Sequence, residues 1–172
     1  MVNAALLKNL LTHVKHTGKI TYVGVGTDRN ILDSLGPLVG TMLEERGYKV
    51  YGTVEKPMHA LTLPHYADEI NDNRCVIAID ACVAVTEDLY TLQFRQKPVK
   101  PGAGSGKLLP HVGHYSILGM VDKNDVLENL GRLHHTIKMA KDIVDTIERF
   151  EQIRSRRTIR NKKMSRSFLR GW

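Results

Sequence analysis

Two aspartates carry the chemistry that this sequence offers. Asp80 closes the run Cys75-Val76-Ile77-Ala78-Ile79-Asp80, a nearly continuous apolar stretch of the kind buried on both faces of a parallel sheet. Asp33 follows an earlier strand pattern, Lys19 to Val25, across the loop Gly26-Thr27-Asp28-Arg29. It stands directly before Ser34 and the helical repeat Leu35, Leu38, Val39, Met42 and Leu43, which Gly47 stops. Open α/β sheets place their ligands in the crevice outside the carboxyl ends of the strands, which would set both carboxylates at one edge. Two carboxyls held close share a proton, so the pair supplies a general base for water and a general acid for a scissile carbonyl or leaving amine. The plainer readings are a helix N-cap for Asp33 and a strand-end turn residue for Asp80.

Two glycine loops flank the pair. Gly24-x-Gly26 after a strand begins a dinucleotide fingerprint, but Arg29 stands where the third glycine belongs. Gly26 then serves a tight turn that brings backbone near a ligand, with Thr27, Asp28 and Arg29 as substrate contacts. Gly102-Ala103-Gly104-Ser105-Gly106-Lys107 has the look of a phosphate loop, yet Pro101 replaces the first glycine and Leu108 follows the lysine, so the Walker pattern fails. What survives is a loop dense in backbone N–H groups, with Gly102, Gly104 and Lys107 as substrate-binding candidates and N–H donors for an oxyanion. His111 and His114 come next; with Asp33 and Asp80 they would make a ligand set for a divalent metal of unspecified identity. Nothing else in the chain calls for a cofactor.

The elements that must position these residues are read from periodicity. An amphipathic helix is expected over residues 4 to 15, strands over 19–25, 48–54 and 75–80, an alternating edge strand over 89–94, and another strand over 115–121. A long helix over 124 to about 153 follows from Val126, Leu130, Leu133, Ile137, Ala140, Val144 and Ile147. The order argues an α/β fold, with a mostly parallel sheet between helical layers, in one domain over 1–153. Residues 154–172 form a basic tail: Arg154, Arg156, Arg157, Arg160, Lys162, Lys163, Arg166 and Arg170, with no acid. Those eight leave 17 of the 25 bases for the rest, against 18 acids. The body is near neutral, and weak contact with nucleic acid or an anionic membrane surface would reside in the tail. No apolar run approaches the roughly 20 residues of a membrane span, and the early Ala4-Ala5-Leu6-Leu7 is too short for a signal segment, so a cytoplasmic location is expected. Cys75 and Cys82 have neither zinc nor disulfide-scaffold spacing and read as reduced core thiols.

Taken together, Val25-Gly26-Thr27-Asp28-Arg29, Asp33-Ser34-Leu35-Gly36-Pro37-Leu38-Val39-Gly40, Pro57-Met58-His59-Ala60, Ala78-Ile79-Asp80-Ala81-Cys82 and Lys100-Pro101-Gly102-Ala103-Gly104 resemble the YyaC family of sporulation proteins. More weakly they are similar to the germination protease, and more distantly to the hydrogenase maturation endopeptidases. The resemblance implies a phosphorylase/hydrolase-like three-layer fold and a sporulation-associated endopeptidase in the cytoplasm of the sporulating cell or spore, acting on a protein or peptide. In it Asp33 and Asp80 stand where the germination protease has its essential aspartates, and where the maturation endopeptidases have two metal-binding carboxylates. Two alternatives stay open: a non-catalytic spore protein binding through the cleft or tail, and a metal-dependent peptidase. The chain departs from the family pattern at Asn30-Ile31-Leu32, Val83-Ala84 and Val112-Gly113-His114. Oligomerisation is left open.

Overall fold

The computed structural model describes residues 1–84, 86–102, 109–122 and 129–168, with side chains in the last helix described over 133–160. Its elements are α1 (Ala4–His13), β1 (Thr21–Gly24), α2 (Leu35–Glu44), β2 (Lys49–Tyr51), α3 (Leu63–Asn71), β3 (Val76–Val83), β4 (Leu92–Arg95), β5 (Tyr115–Val121) and α4 (Asn129–Phe168). The five strands form one sheet of order β2-β1-β3-β5-β4, parallel throughout except for β4 at the edge. That is the phosphorylase/hydrolase-like arrangement the motifs led us to expect.

Side chains alternate across the strands, as the two-residue pleat requires, and build a core on each face. Tyr22, Ile77, Ile79 and Ile117 pack under α1, α2 and α4, where Leu10, Leu35, Leu43, Ile143, Ile147 and Phe150 are fully buried. Val23, Val76, Ala78 and Leu118 face the other way, against Leu63 and Ile70 of α3. The result is three layers, helix, sheet and helix. The path from β1 through α2 reaches β2 on one side, whereas the path through α3 crosses back to β3 on the other. The connections therefore diverge between β1 and β3, which is the switch point where open α/β sheets leave a crevice.

Several bounds differ from the sequence expectation for identifiable reasons. The second strand ends at Tyr51, because Gly52 turns the chain with φ +80°. The third runs on to Val83, because β5 pairs with it from Ile77 to Val83 and so extends the ladder past Asp80. The final helix continues to Phe168 rather than ending near 153. Arg154 on it donates to the Gly18 and His16 carbonyls and pairs with Glu151, which in turn accepts from the Tyr22 hydroxyl at 2.8 Å. Arg154 is therefore fastened to the body. Cys75 is buried, Cys82 half-buried, and both are free thiols. No helix among the described residues is long and apolar enough to cross a membrane.

Candidate active site

The crevice is built around the end of β1. Val25 continues the strand by one bridge on each flank: its N–H donates to Ile79 O at 2.8 Å, and it pairs in parallel with Met58. Gly26 N–H donates to Met58 O at 2.9 Å. Asp80 follows Ile79, so it lies one residue beyond the β1 ladder while still paired with Leu118 of β5. On the β1 flank Val25 makes the last strand bond before the chain turns off at Gly26, and the carboxyl is recessed yet keeps a partial opening to solvent.

Asp33 arrives from the other direction. The chain leaves β1, makes a turn whose residues 28–30 are exposed, and closes with a short 3-10 turn, Ile31–Asp33, capped by the Asn30 side chain on Leu32 N–H. Thr27 N–H donates to Asp33 O at 3.1 Å, closing the loop on itself. Gly26 sits at φ +130°, and a Cβ there would overlap the Asp33 carbonyl, so glycine is required for the loop to fold so tightly. Gly36 plays the matching part in α2, where a Cβ would run into Val25 O and Ile79 O. Its absence lets the first turn of α2 lie on the ends of β1 and β3 and carries Asp33 to Asp80. Asp33 does not cap α2; that position is Ser34, whose side chain donates to Ile31 O instead.

The electrostatics mark the two carboxyls as a pair. Desolvation, then the Asp33 charge, push the Asp80 carboxyl up to about 8, against one opposing hydrogen bond from Ala81 N–H at 2.8 Å. Desolvation also raises Asp33, opposed by the Thr27 N–H and by the positive form of His59. At neutral pH Asp80 therefore holds a proton, and Asp33, with two groups favouring its anion, is the one of the pair that ionises first.

His59 is the residue that sequence reasoning passed over. It stood in the Pro57-Met58-His59-Ala60 block, and the sequence signal that points to it is Met58, whose pairing with Val25 brings the next residue to the crevice. Its Nδ1 accepts from Leu61 N–H at 3.2 Å, and its N–H donates to the Thr62 hydroxyl at 3.0 Å.

The remaining candidates divide. Thr27 is half-buried in the loop, while Asp28 and Arg29 are exposed on it, with Arg29 N–H donating to the Thr27 hydroxyl. Gly102 occupies a turn at φ +71°. Gly104 and Lys107 lie outside the described residues. His111 and His114 are not brought to the carboxylates: His114 Nδ1 accepts from Val76 N–H at 3.1 Å, and His111 O accepts from Asn71 at the end of α3. Val76 is four residues before Asp80, which at strand rise places His114 about 13 Å away, at the opposite edge of the sheet. His111 and His114 therefore do not complete a metal set with Asp33 and Asp80, since both histidines precede β5 and enter the sheet at the amino end of its parallel strands. Among the described residues no three His, Cys, Asp or Glu side chains gather as metal ligands.

A family model described as a protein of unknown function (DUF1256) matches residues 1–146. The chain belongs to this family. It is 42% identical to the uncharacterized protein YyaC of Bacillus subtilis strain 168, a match covering 66% of this chain and 59% of that protein. The chain thus spans about three fifths of its relative's length. Among solved structures it is similar to two hydrogenase maturation proteases of Thermococcus kodakarensis. HybD is 13% identical with a TM-score of 0.47, covering 76% of this chain and 99% of that one. HycI is 14% identical with a TM-score of 0.47, covering 84% of this chain and 99% of that one. The DUF1256 and YyaC matches agree with the resemblance read from the motif blocks.

Proposed function

We propose that this DUF1256 protein is a sporulation-associated endopeptidase in which Asp33 and Asp80 hydrolyse a peptide bond as an acid–base pair. The observation that carries the reading is the enclosed Asp80 carboxyl, held neutral beside Asp33 at the switch point. Asp33 as carboxylate takes a proton from water as its oxygen adds to the peptide carbonyl carbon. Asp80 donates a hydrogen bond to the carbonyl oxygen, where negative charge develops, and its proton then passes to the departing amine. The C–N bond breaks as the amine takes that proton, leaving a carboxylic acid and an amine, and Asp33 passes the proton it took from water to Asp80, which restores the pair. Loss of either proton-transfer group costs roughly 10² to 10⁴ in rate.

The test is cleavage of proteins extracted from spores, with new N-termini mapped by mass spectrometry for the parent and for Asp33→Asn and Asp80→Asn. Fragments made by the parent and absent with both folded variants support the reading. Fragments that persist with either variant remove that aspartate from the chemistry. A protein that binds spore proteins without cutting them leaves the fold a binding role.

A further inference from the structure

We infer that the cavity beside the edge strand is the subsite that receives a lysine or arginine side chain of an extended peptide, an inference that rests on the peptide-hydrolysis reading above. The cavity measures about 410 Å³ and lies between β2, the turn after it and the first turns of α3. His59 joins it to the crevice, for it lines the cavity and directly follows Met58, the residue paired with Val25 at the end of β1. β2 is the outermost strand of the sheet, so an extended peptide can lie along it. Main-chain bonds then supply affinity and alternate side chains supply specificity. Met58, which lines the cavity, also pairs with Val25 and accepts from Gly26 N–H at the root of the loop that carries Asp33.

The lining is amphipathic in the same sense as a long basic side chain. Met58 and the ring of Tyr51 form its buried and half-buried floor, with Tyr66 more open, whereas Glu44 and Glu55 are exposed at the rim. Lysine and arginine bury their stems on such a floor and keep the charged head at the water boundary. The two glutamates face one base of the lining, Lys56. Tyr51 already holds an ammonium: Lys49 Nζ lies 5.7 Å from its ring centroid, while its hydroxyl donates to Glu69 at 2.6 Å. A leucine would use the floor and nothing of the rim, and a glutamate would be repelled by it.

The experiment titrates the full chain carrying Asp80→Asn with four blocked pentapeptides, acetyl-Ala-Ala-X-Ala-Ala-amide with X as Lys, Arg, Leu or Glu, followed by amide NMR. The Lys and Arg peptides should shift the Met58, His59 and Thr62 amides and bind about fivefold tighter than the Leu peptide, the most that a solvent-edge charge pair gives. In the Glu44→Gln, Glu55→Gln double variant that preference should vanish while Leu-peptide binding stays the same. Leu binding as tight as Lys, shifts confined to another surface, or a preference that survives the double variant would each overturn the subsite. Incubating the parent with the same peptides separates the two claims. Lys preference in binding with no cleavage keeps the subsite and removes the peptidase reading; cleavage lost with Asp80→Asn but indifferent to X does the reverse.

Discussion

Replacing Asp80 by Asn should make the protein more stable at neutral pH, and by an amount that grows with pH. The carboxyl is raised from 3.8 to about 8 in the fold. A group raised in this way contributes fully below its unfolded value of 3.8, and that contribution is lost as pH rises through about 8. Between those limits the unfolded chain ionises while the folded carboxyl does not, at about 1.4 kcal/mol per pH unit. At pH 7 the penalty amounts to as much as about 4 kcal/mol, an upper figure because the site keeps a partial opening to water. Asn removes the titration and retains an oxygen for the Ala81 N–H, so the hydrogen bond at 2.8 Å survives. Urea unfolding of parent and variant at half-unit steps from pH 4 to pH 9 reads the difference directly. The two curves should lie close at pH 4, diverge steadily, and run parallel above pH 8, with equal m-values throughout. A variant no more stable than the parent at pH 7, or a difference flat across the range, would refute the enclosed-carboxyl account.

Three further outcomes follow from the same site and from the last helix. Asp33→Asn should lower the Asp80 pKa, because it removes the second cause of its elevation; carboxyl carbon NMR over pH 5 to 10 checks this, and an unmoved titration would mean the two do not interact. Gly26→Ala should cost about 2 kcal/mol or more, since φ +130° and the Asp33 carbonyl both oppose a Cβ; thermal melts that match the parent would refute the tight loop. Truncation after Thr158 should leave the fold intact, because Arg154 remains to hold Glu151 and the Gly18 carbonyl. It should also weaken low-salt retention on DNA and on anionic vesicles, removing Arg160, Lys162, Lys163, Arg166 and Arg170; equal retention would place any polyanion contact elsewhere.

Strands buried on both faces were legible because continuous apolar runs leave little choice. Tyr115–Val121 falls where the pattern put it, and Val76 to Ile79 forms the middle of the sheet. Features set by a partner were not legible. How far β3 runs past Ile79 depends on β5, thirty-eight positions further along the chain, a pairing that no local pattern encodes, so Asp80 reads from sequence as a strand end although it lies within the strand. α3 was obscured by Pro57 and Pro64, yet Pro64 occupies a first-turn position where a missing N–H costs nothing. The shift to basic composition at Arg154 looked like a boundary. Helices stop at glycine, proline or lost packing rather than at a change of charge, and neither residue occurs between Gly131 and Gly171. His59 escaped because its importance comes from the Val25–Met58 pairing, a contact between segments thirty-three positions apart.

Under the proposed peptidase reading, the location of Asp80 reconciles two demands that conflict elsewhere in the fold. A carboxyl needs burial to remain protonated at neutral pH, but a buried acid inside a fully paired sheet would be unreachable. On the surface it would be reachable and ionised, useless as an acid. At the first position beyond the β1 ladder, β5 still encloses one flank through Leu118, while on the other flank β1 makes its last bond, Val25 N–H to Ile79 O, and the chain turns off at Gly26, leaving an opening. Into that opening the 3-10 turn brings Asp33, with Gly26 and Gly36 allowing the loop and α2 to approach without displacing the strand ends. Lengthening β1 by a paired residue would close the opening, and moving Asp80 one residue along β3 would turn its side chain to the opposite face, toward α4. The acid and the access to it therefore depend on the same register, that of Gly24 against Ile79.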